Sequence, residues 1–278
     1  MLVEYPSSGY YILDQPAGRL IADYGAPGSS CNPGHQHASI FSYEISCMQG
    51  RVIVDTGTGS YEAGAERGYL RGTAAHNTIR LDEANQFVVW RSFRIGRRAF
   101  VHDVEARSGP GWHCISAWHD GYKPLGVTHR RAILGLEGAG WLVADLLEGS
   151  GLHTTESFIH LHPHIVPGGI GPGVIEPQLE AVALTPPGWS LAAIRLPALQ
   201  VKPDHYSTRL GERQPSQTLF VRSREKLPQY WAYWIAPFPP AKIRWEAAGD
   251  GIFVLTVPEN RFRVNLSGAG PIETTLEI

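Results

Sequence analysis

Residues 34–82, GHQHASIFSYEISCMQGRVIVDTGTGSYEAGAERGYLRGTAAHNTIRLD, gather His35, His37, Asp55 and His76. Two imidazoles and a carboxylate arriving from separate strand ends are a common way to hold zinc with an open fourth position, since each supplies a lone pair and the ion keeps a net positive charge. A second meaning fits the same letters: loop histidines bonded to backbone carbonyls, beside an aspartate that caps a turn. Residue types and spacing leave both open.

The elements that must position these groups read as short strands. SIFSYEISC and RVIVD flank Met48-Gln49-Gly50, which predicts a hairpin through a glycine turn. In extended chain, side chains at i and i+2 share a face, so His35 and His37 are expected to point the same way from the beginning of one strand. Asp55 is expected to end the partner strand and run into Thr56-Gly57-Thr58-Gly59, and His76 to open a further strand behind a Gly-rich, Arg-rich loop. Strand-type runs continue at FVVWRSFRI, RRAFVHDVEA, WHCISAWHD, HRRAILGL, GWLVADLLEG, SLAAIRLPALQVKP, QYWAYWIAPF, KIRWEAAGDGIFVLTV and NRFRVNLSG. With 31 Gly and 21 Pro in 278 residues and no 3.6-residue apolar stripe of useful length, the pattern predicts an all-β antiparallel sandwich. The least regular stretch, Pro163 to Pro187, is expected to be a long loop or a break between two sheets. No charged or flexible linker divides the chain, so residues 1–278 read as one sandwich domain, with a possible C-terminal sub-sheet from about residue 200.

Composition excludes several classes. A net charge of -2 from 24 basic and 26 acidic residues gives no global field toward nucleic acid or an anionic membrane. Cys31, Cys47 and Cys114 are odd in number and lack CxxC spacing, so they suggest neither a disulfide framework nor a cysteine zinc site. No basic-then-apolar leader opens the chain, and no run approaches the ~20 apolar residues of a membrane span.

GHQHASIFSYEI, VDTGTGSYEAG, RGYLRGTAAHNTIRLDEANQ and FRIGRRA, in that order, resemble the heparinase II/III family of polysaccharide lyases, in its C-terminal β-sandwich (supersandwich) portion. The resemblance is dense over residues 31–100 and continues loosely to about residue 164. It implies a zinc ion held by His37, Asp55 and His76, with His35 facing substrate and taking part in catalysis. One departure is Ala38, where the family usually has an acidic residue directly after the pair. Another is length: the family's N-terminal helical toroid, which carries a Tyr acid or base and a carboxylate-neutralising Asn or His, has no counterpart here. The chain is therefore expected to be the C-terminal half of a lyase, needing a toroid domain or subunit supplied elsewhere. Relatives act in the bacterial periplasm or outside the cell, which makes the same location the expectation for this chain.

The implied chemistry is β-elimination on an acidic polysaccharide such as a glycosaminoglycan, alginate or a bacterial exopolysaccharide. The site must neutralise a uronate carboxylate, take the C5 proton and protonate the departing oxygen. His35 can serve as base or as carboxylate partner, because an unperturbed imidazole changes charge near working pH. Between residues 67 and 100 seven arginines (67, 71, 80, 91, 94, 97, 98) face only Asp82 and Glu83, a balance that would draw an acidic glycan. Arg71, next to the His76 loop, is expected to fork onto a sugar carboxylate, and Tyr61 and Tyr69 to stack on or hydrogen-bond a sugar ring. Asn77 and Gln86 are expected to be structural, with Asn77 tying down the loop behind His76. His129, His153, His160, His162 and His164 read as structural, and Trp231 and Trp234 as core. Two other functions fit fewer of these features. One is a carbohydrate-binding sandwich that keeps a structural zinc but has no turnover. The other is a cupin-like metalloenzyme using Glu44, which leaves the HNT and VDTG motifs unexplained.

Overall fold

The computed structural model describes residues 1–25, 28, 33–168, 171–172, 180–186, 188–237, 244–249, 252–257, 260–265 and 273–277. Cys31 and parts of the Pro163–Pro187 stretch lie outside the described residues. The architecture is all-β and antiparallel. One nine-stranded sheet runs, in spatial order, Leu2–Tyr5, Tyr10–Gln15, Gly18–Asp23, Tyr43–Cys47, Gly50–Ile53, Leu152–Leu161, Gln214–Lys226 and Leu199–Tyr206, with Ile79–Leu81 also pairing to Leu152–Leu161. A second contains Val166–Pro167, Glu180–Thr185, Trp189–Arg195, Gln229–Pro237, Gly140–Glu148, Thr128–Leu136, Trp112–His119 and Val101–Gly109, with Gly171–Pro172 beside Glu180–Thr185. Strands Arg244–Gly249, Ile252–Val257, Asn260–Asn265 and Glu273–Glu277 form a separate four-stranded sheet.

The two large sheets bury their facing sides together. Leu13, Leu20, Ile45, Val52, Ile159 and Leu161 from the first meet Ile133, Trp141, Val143, Tyr233 and Ile235 from the second. Each aliphatic side chain withdrawn from water in this way contributes roughly 1.5–3 kcal/mol. Trp141 stacks on Trp189 at 5.5 Å between ring centroids, adding specific geometry to area. Trp231 and Trp234 are both buried, on opposite faces of their strand, as period-2 alternation requires.

The irregular stretch is where the chain leaves the first sheet, at Leu161, and enters the second, at Val166. Residue 200 marks no division in the strand order. Leu199–Tyr206 and Gln214–Lys226 complete the first sheet and Gln229–Pro237 sits inside the second, so the separate sub-sheet starts only at Arg244. The sequence reading missed strand Gln214–Lys226, whose exposed side chains (Gln217, Arg222, Arg224 and their neighbours) mask its buried Leu219 and Val221.

Candidate active site

The Gly50 hairpin forms as read, with strands Tyr43–Cys47 and Gly50–Ile53. Around it the local structure differs from expectation. Residues Pro33–His35 make a 3-10 turn, and no strand starts until Tyr43. His35 and His37 therefore sit on a loop instead of one strand face. His76 caps a second 3-10 turn, Thr73–Ala75, ahead of strand Ile79–Leu81.

The loop is shaped by helix α1, Ala65–Arg71, which the sequence reading did not find because its flanking glycines and length of only about two turns hide it. Arg67 and Arg71 lie one helical turn apart and point the same way. Arg71 donates from Nε to the Gln36 carbonyl at 3.1 Å, and from Nη2 to Pro33 O at 2.9 Å. Its own carbonyl accepts from Ala38 N at 2.9 Å. Arg67 donates to Gly34 O at 2.8 Å and to His37 Nε2 at 3.3 Å. A carbonyl-rich loop without regular hydrogen bonding is thus satisfied by two guanidinium forks. Both arginines are fully buried. The expectation that Arg71 meets a sugar carboxylate is corrected: its donors are spent on backbone, and solvent does not reach it.

A cleft of about 430 Å³ brings His35, His37, Asp55, Tyr61 and His76 together, with Tyr10, Asp23, Glu44 and Arg51 on its walls. His76 Nδ1 donates a short hydrogen bond to Asp55 Oδ2, and the His37 and His76 rings lie 5.4 Å apart. Asp55 Oδ1 accepts from Gly57 N at 2.9 Å, so the aspartate also caps its turn. His76 Nε2, on the far side of the ring, is buried with no hydrogen-bond partner among the described residues. Burial acts to raise the Asp55 pKa, but the adjoining His76 and the Gly57 amide outweigh it and hold the carboxylate at about 2. Burial first, then His76 and the nearby arginines, pushes His37 down to about 3, leaving a neutral imidazole. These are the protonation states a metal requires of its ligands. Among the described residues no three His, Cys, Asp or Glu side chains already stand in coordinating geometry, and the Arg67 contact occupies His37 Nε2.

At the mouth of the cleft, Tyr61 OH lies 3.3 Å from His35 Nδ1, and Arg67 sits over the Tyr61 ring. Tyr69 is elsewhere: its hydroxyl donates to Asp204 at 3.1 Å, in a second cavity behind α1. The arginines of residues 67–100 do not form one patch. Arg80 pairs with Glu156, Arg91 and Arg94 lie over Trp90, and Arg97 donates to the carbonyls of Gln86 and Gly121. Arg67 is bonded to a histidine of the cleft.

Asn77 does tie the loop down, donating to Tyr43 O and Val54 O while its Oδ1 accepts from His160 N. Gln86 exchanges a pair of hydrogen bonds with the Ile40 backbone. Behind both lies a buried ion pair from the second sheet. Arg131 grips Asp145 with two hydrogen bonds of 2.7 and 2.8 Å, and its Nη1 donates to Phe41 O at 2.8 Å and Asn77 O at 2.6 Å. One guanidinium therefore pins both loops that carry His37 and His76. His129 completes the cluster at Asp145, confirming its structural place.

The sequence reading also missed Asp23. It ends strand Gly18–Asp23 inside the cleft, bonded to Gly25 N and Ser39 Oγ, and burial raises it to about 6 despite those donors. A carboxyl titrating there can carry a proton near neutrality. A strand-terminal Asp followed by Tyr-Gly was its only signal. Glu44 lies across the cleft against Arg51 at 3.7 Å, with no histidine bonded to it.

A family model described as heparinase II/III-like, C-terminal, matches residues 1–246. Among solved structures, the heparan sulfate lyase HepC from Pedobacter heparinus is similar with a TM-score of 0.71 and 14% identity, over 97% of this chain and 41% of that one. A structure of heparinase III gives a TM-score of 0.67 and 15% identity, over 92% of this chain and 41% of that one. At such identities the likeness is one of fold, and this chain spans about 41% of the length of either neighbour. No curated protein matches the chain.

Proposed function

Because the chain belongs to the heparinase II/III-like family through its C-terminal domain, we propose that it is the zinc-bearing part of a polysaccharide lyase that cleaves uronate-containing acidic glycans by β-elimination. The observation that carries this is the cleft itself: His37, Asp55 and His76 adjoin at its floor while His35 and Tyr61 stand at its mouth. The floor residues fit a zinc ion by donor type, by the ionised Asp55 and neutral His37, and by the unpartnered buried Nε2 of His76. Binding would displace the Arg67 contact from His37. Elimination consumes no water, so the ion would supply a positive field and brace the loops.

The chain's own groups supply the rest. His35, beside Tyr61, would take the C5 proton or contact the uronate. Asp23 offers a second proton carrier on the opposite wall. The remaining task, protonating the departing oxygen, falls to a helical toroid of the family type, provided by a longer form of the protein or by a second subunit, in the periplasm or outside the cell. A second reading is a carbohydrate-binding sandwich that keeps the zinc brace without turnover.

One assay separates the two. The purified chain, alone and combined with a helical toroid of the family type, is mixed with heparan sulfate, alginate and other uronate polymers, and ultraviolet absorbance of the unsaturated product is followed alongside retention on the immobilised polymer. Absorbance that vanishes in His35→Ala supports the lyase. Retention without absorbance supports the binder, and neither result leaves the reading without a basis.

A further inference from the structure

A second cavity, of about 870 Å³, is larger than the histidine cleft. It lies behind α1, on the outer face of the first sheet. Period-2 alternation puts Glu156, Phe158 and His160 on that face from one strand, and Thr218, Phe220 and Arg222 from its neighbour. The pairs are in register: Glu156 with Arg222, Phe158 with Phe220, His160 with Thr218. Lys202 and Asp204 project beside them from the next strand.

Asp204 is the centre of a buried cluster and its charge is used up there. It accepts from Tyr69 OH, from Thr218 Oγ1 at 2.6 Å, from His160 Nδ1 at 2.8 Å and from the His205 amide at 2.8 Å. Glu156 is likewise spent, on Arg80. Glu66 and Glu83 also line the cavity, 3.9 Å from Arg213 and 3.5 Å from Arg222, which leaves Lys202 as the lining cation without a carboxylate partner among the described residues. Lys202 holds its ammonium 3.2 Å from the Phe220 ring centroid and forms no ion pair with a described carboxylate. His205 adds a second donor. Its Nδ1 lies 3.3 Å from both Arg213 Nη2 and Asp204 Oδ1; of these only the Arg213 contact has hydrogen-bond geometry, and a guanidinium cannot accept, so this arrangement assigns the ring proton to Nε2. That N–H is buried, lines the cavity and has no acceptor. An unmet buried donor is costly and calls for an oxygen.

We infer that this cavity is a second, separate site for the anionic group of an acidic sugar, with Lys202 and the Nε2–H of His205 as its donors. The volume exceeds what a lone inorganic anion needs, and the glycan source rests on the lyase reading given above. The site would anchor a chain segment away from the histidine cleft, with Tyr69 belonging to this site and not to the reacting one.

The test is a nuclear magnetic resonance titration of the full chain, following the imidazole signals of His205 with glucuronate, inorganic sulfate or glucose. Glucuronate is expected to shift them saturably and glucose to leave them unmoved. Lys202→Met, a substitution of an exposed side chain, should weaken glucuronate about tenfold or more, the loss of one charge-assisted hydrogen bond. His205→Phe, followed through the backbone amide signals of Asp204 and Tyr206, should do the same, with circular dichroism checking that it folds, while His35→Ala should leave the titration unchanged and so separate this site from the lyase cleft. No shift with glucuronate, or an undiminished one in Lys202→Met, would overturn the site. Sulfate binding as tightly as glucuronate would overturn its assignment to a sugar, leaving a free-anion site. Elimination activity is read independently, so its absence would leave these titrations interpretable.

Discussion

Arg131→Met is the sharpest test of how the cleft is held. The substitution keeps most of the side-chain volume but removes both hydrogen bonds to Asp145 and the donor shared by Phe41 O and Asn77 O. Removing one member of a buried ion pair costs roughly 3–5 kcal/mol because the other charge stays buried, and orphaned buried acceptors add to it. Residual donation from His129 to Asp145 offsets part of the loss. A net destabilisation of about 4 kcal/mol follows from these principles. For a domain of this size that corresponds to a fall in Tm of about 8–16 °C. Thermal unfolding by circular dichroism measures it, with urea midpoints as a cross-check. The double variant Arg131→Met with Asp145→Leu should recover much of the loss, since no unpaired charge remains. Zinc affinity should nonetheless stay weakened in the double variant, because nothing then ties the His37 loop to the His76 loop. A single variant within about 3 °C of the parent, by the same scaling, would refute the strut.

Elemental analysis should find one zinc per chain, lost in His76→Ala and Asp55→Ala and retained in Glu44→Gln; loss in the last would favour cupin-type ligation. Asp204 is held below the ordinary carboxylate range, burial opposing but His160 and Thr218 prevailing. Its stabilisation is accordingly present above that range and lost as pH falls through it, so the unfolding midpoint of the parent should drop toward that of Asp204→Asn between about pH 5 and pH 2. Gly57 has φ +77 and a Cβ there would lie 2.1 Å from Ser207 O. Gly57→Ala should therefore cost about 1–3 kcal/mol or more in chemical denaturation and lower zinc affinity by moving the amide that caps Asp55. Arg71→Met should destabilise the Pro33–Ala38 loop, read as faster hydrogen exchange at the Ala38 amide.

What could be read from the letters was local. The Gly50 turn, the strand alternation through Trp231 and Trp234, and the grouping of His37, Asp55 and His76 depend on neighbours in sequence or on motifs that keep their spacing. The roles of Arg71 and Tyr69 could not be read, because each is decided by what lies opposite. Arg71 meets the carbonyls of Pro33 and Gln36 across a loop, and Tyr69 meets Asp204 at a separation of 135 residues. Asp23 was hidden for the same reason: its burial comes from the cleft walls, which no window of sequence contains. His160, read with its neighbours as structural, became part of a charged cluster only because strands Leu152–Leu161 and Leu199–Tyr206 flank the same central strand.

Helix α1 faces the two cavities from opposite sides, Arg67 and Arg71 toward one and Tyr69 toward the other. Each residue of an α-helix advances the side chains by about 100°, so inserting or deleting a single residue between 67 and 71 would swing the later arm out of phase. One codon's change would thereby take Arg71 from the loop that carries His37, or Tyr69 from Asp204. Length variation along this polypeptide is therefore tolerable in the surface turns and intolerable in this short segment, a rule that a scan of one-residue insertions would expose directly.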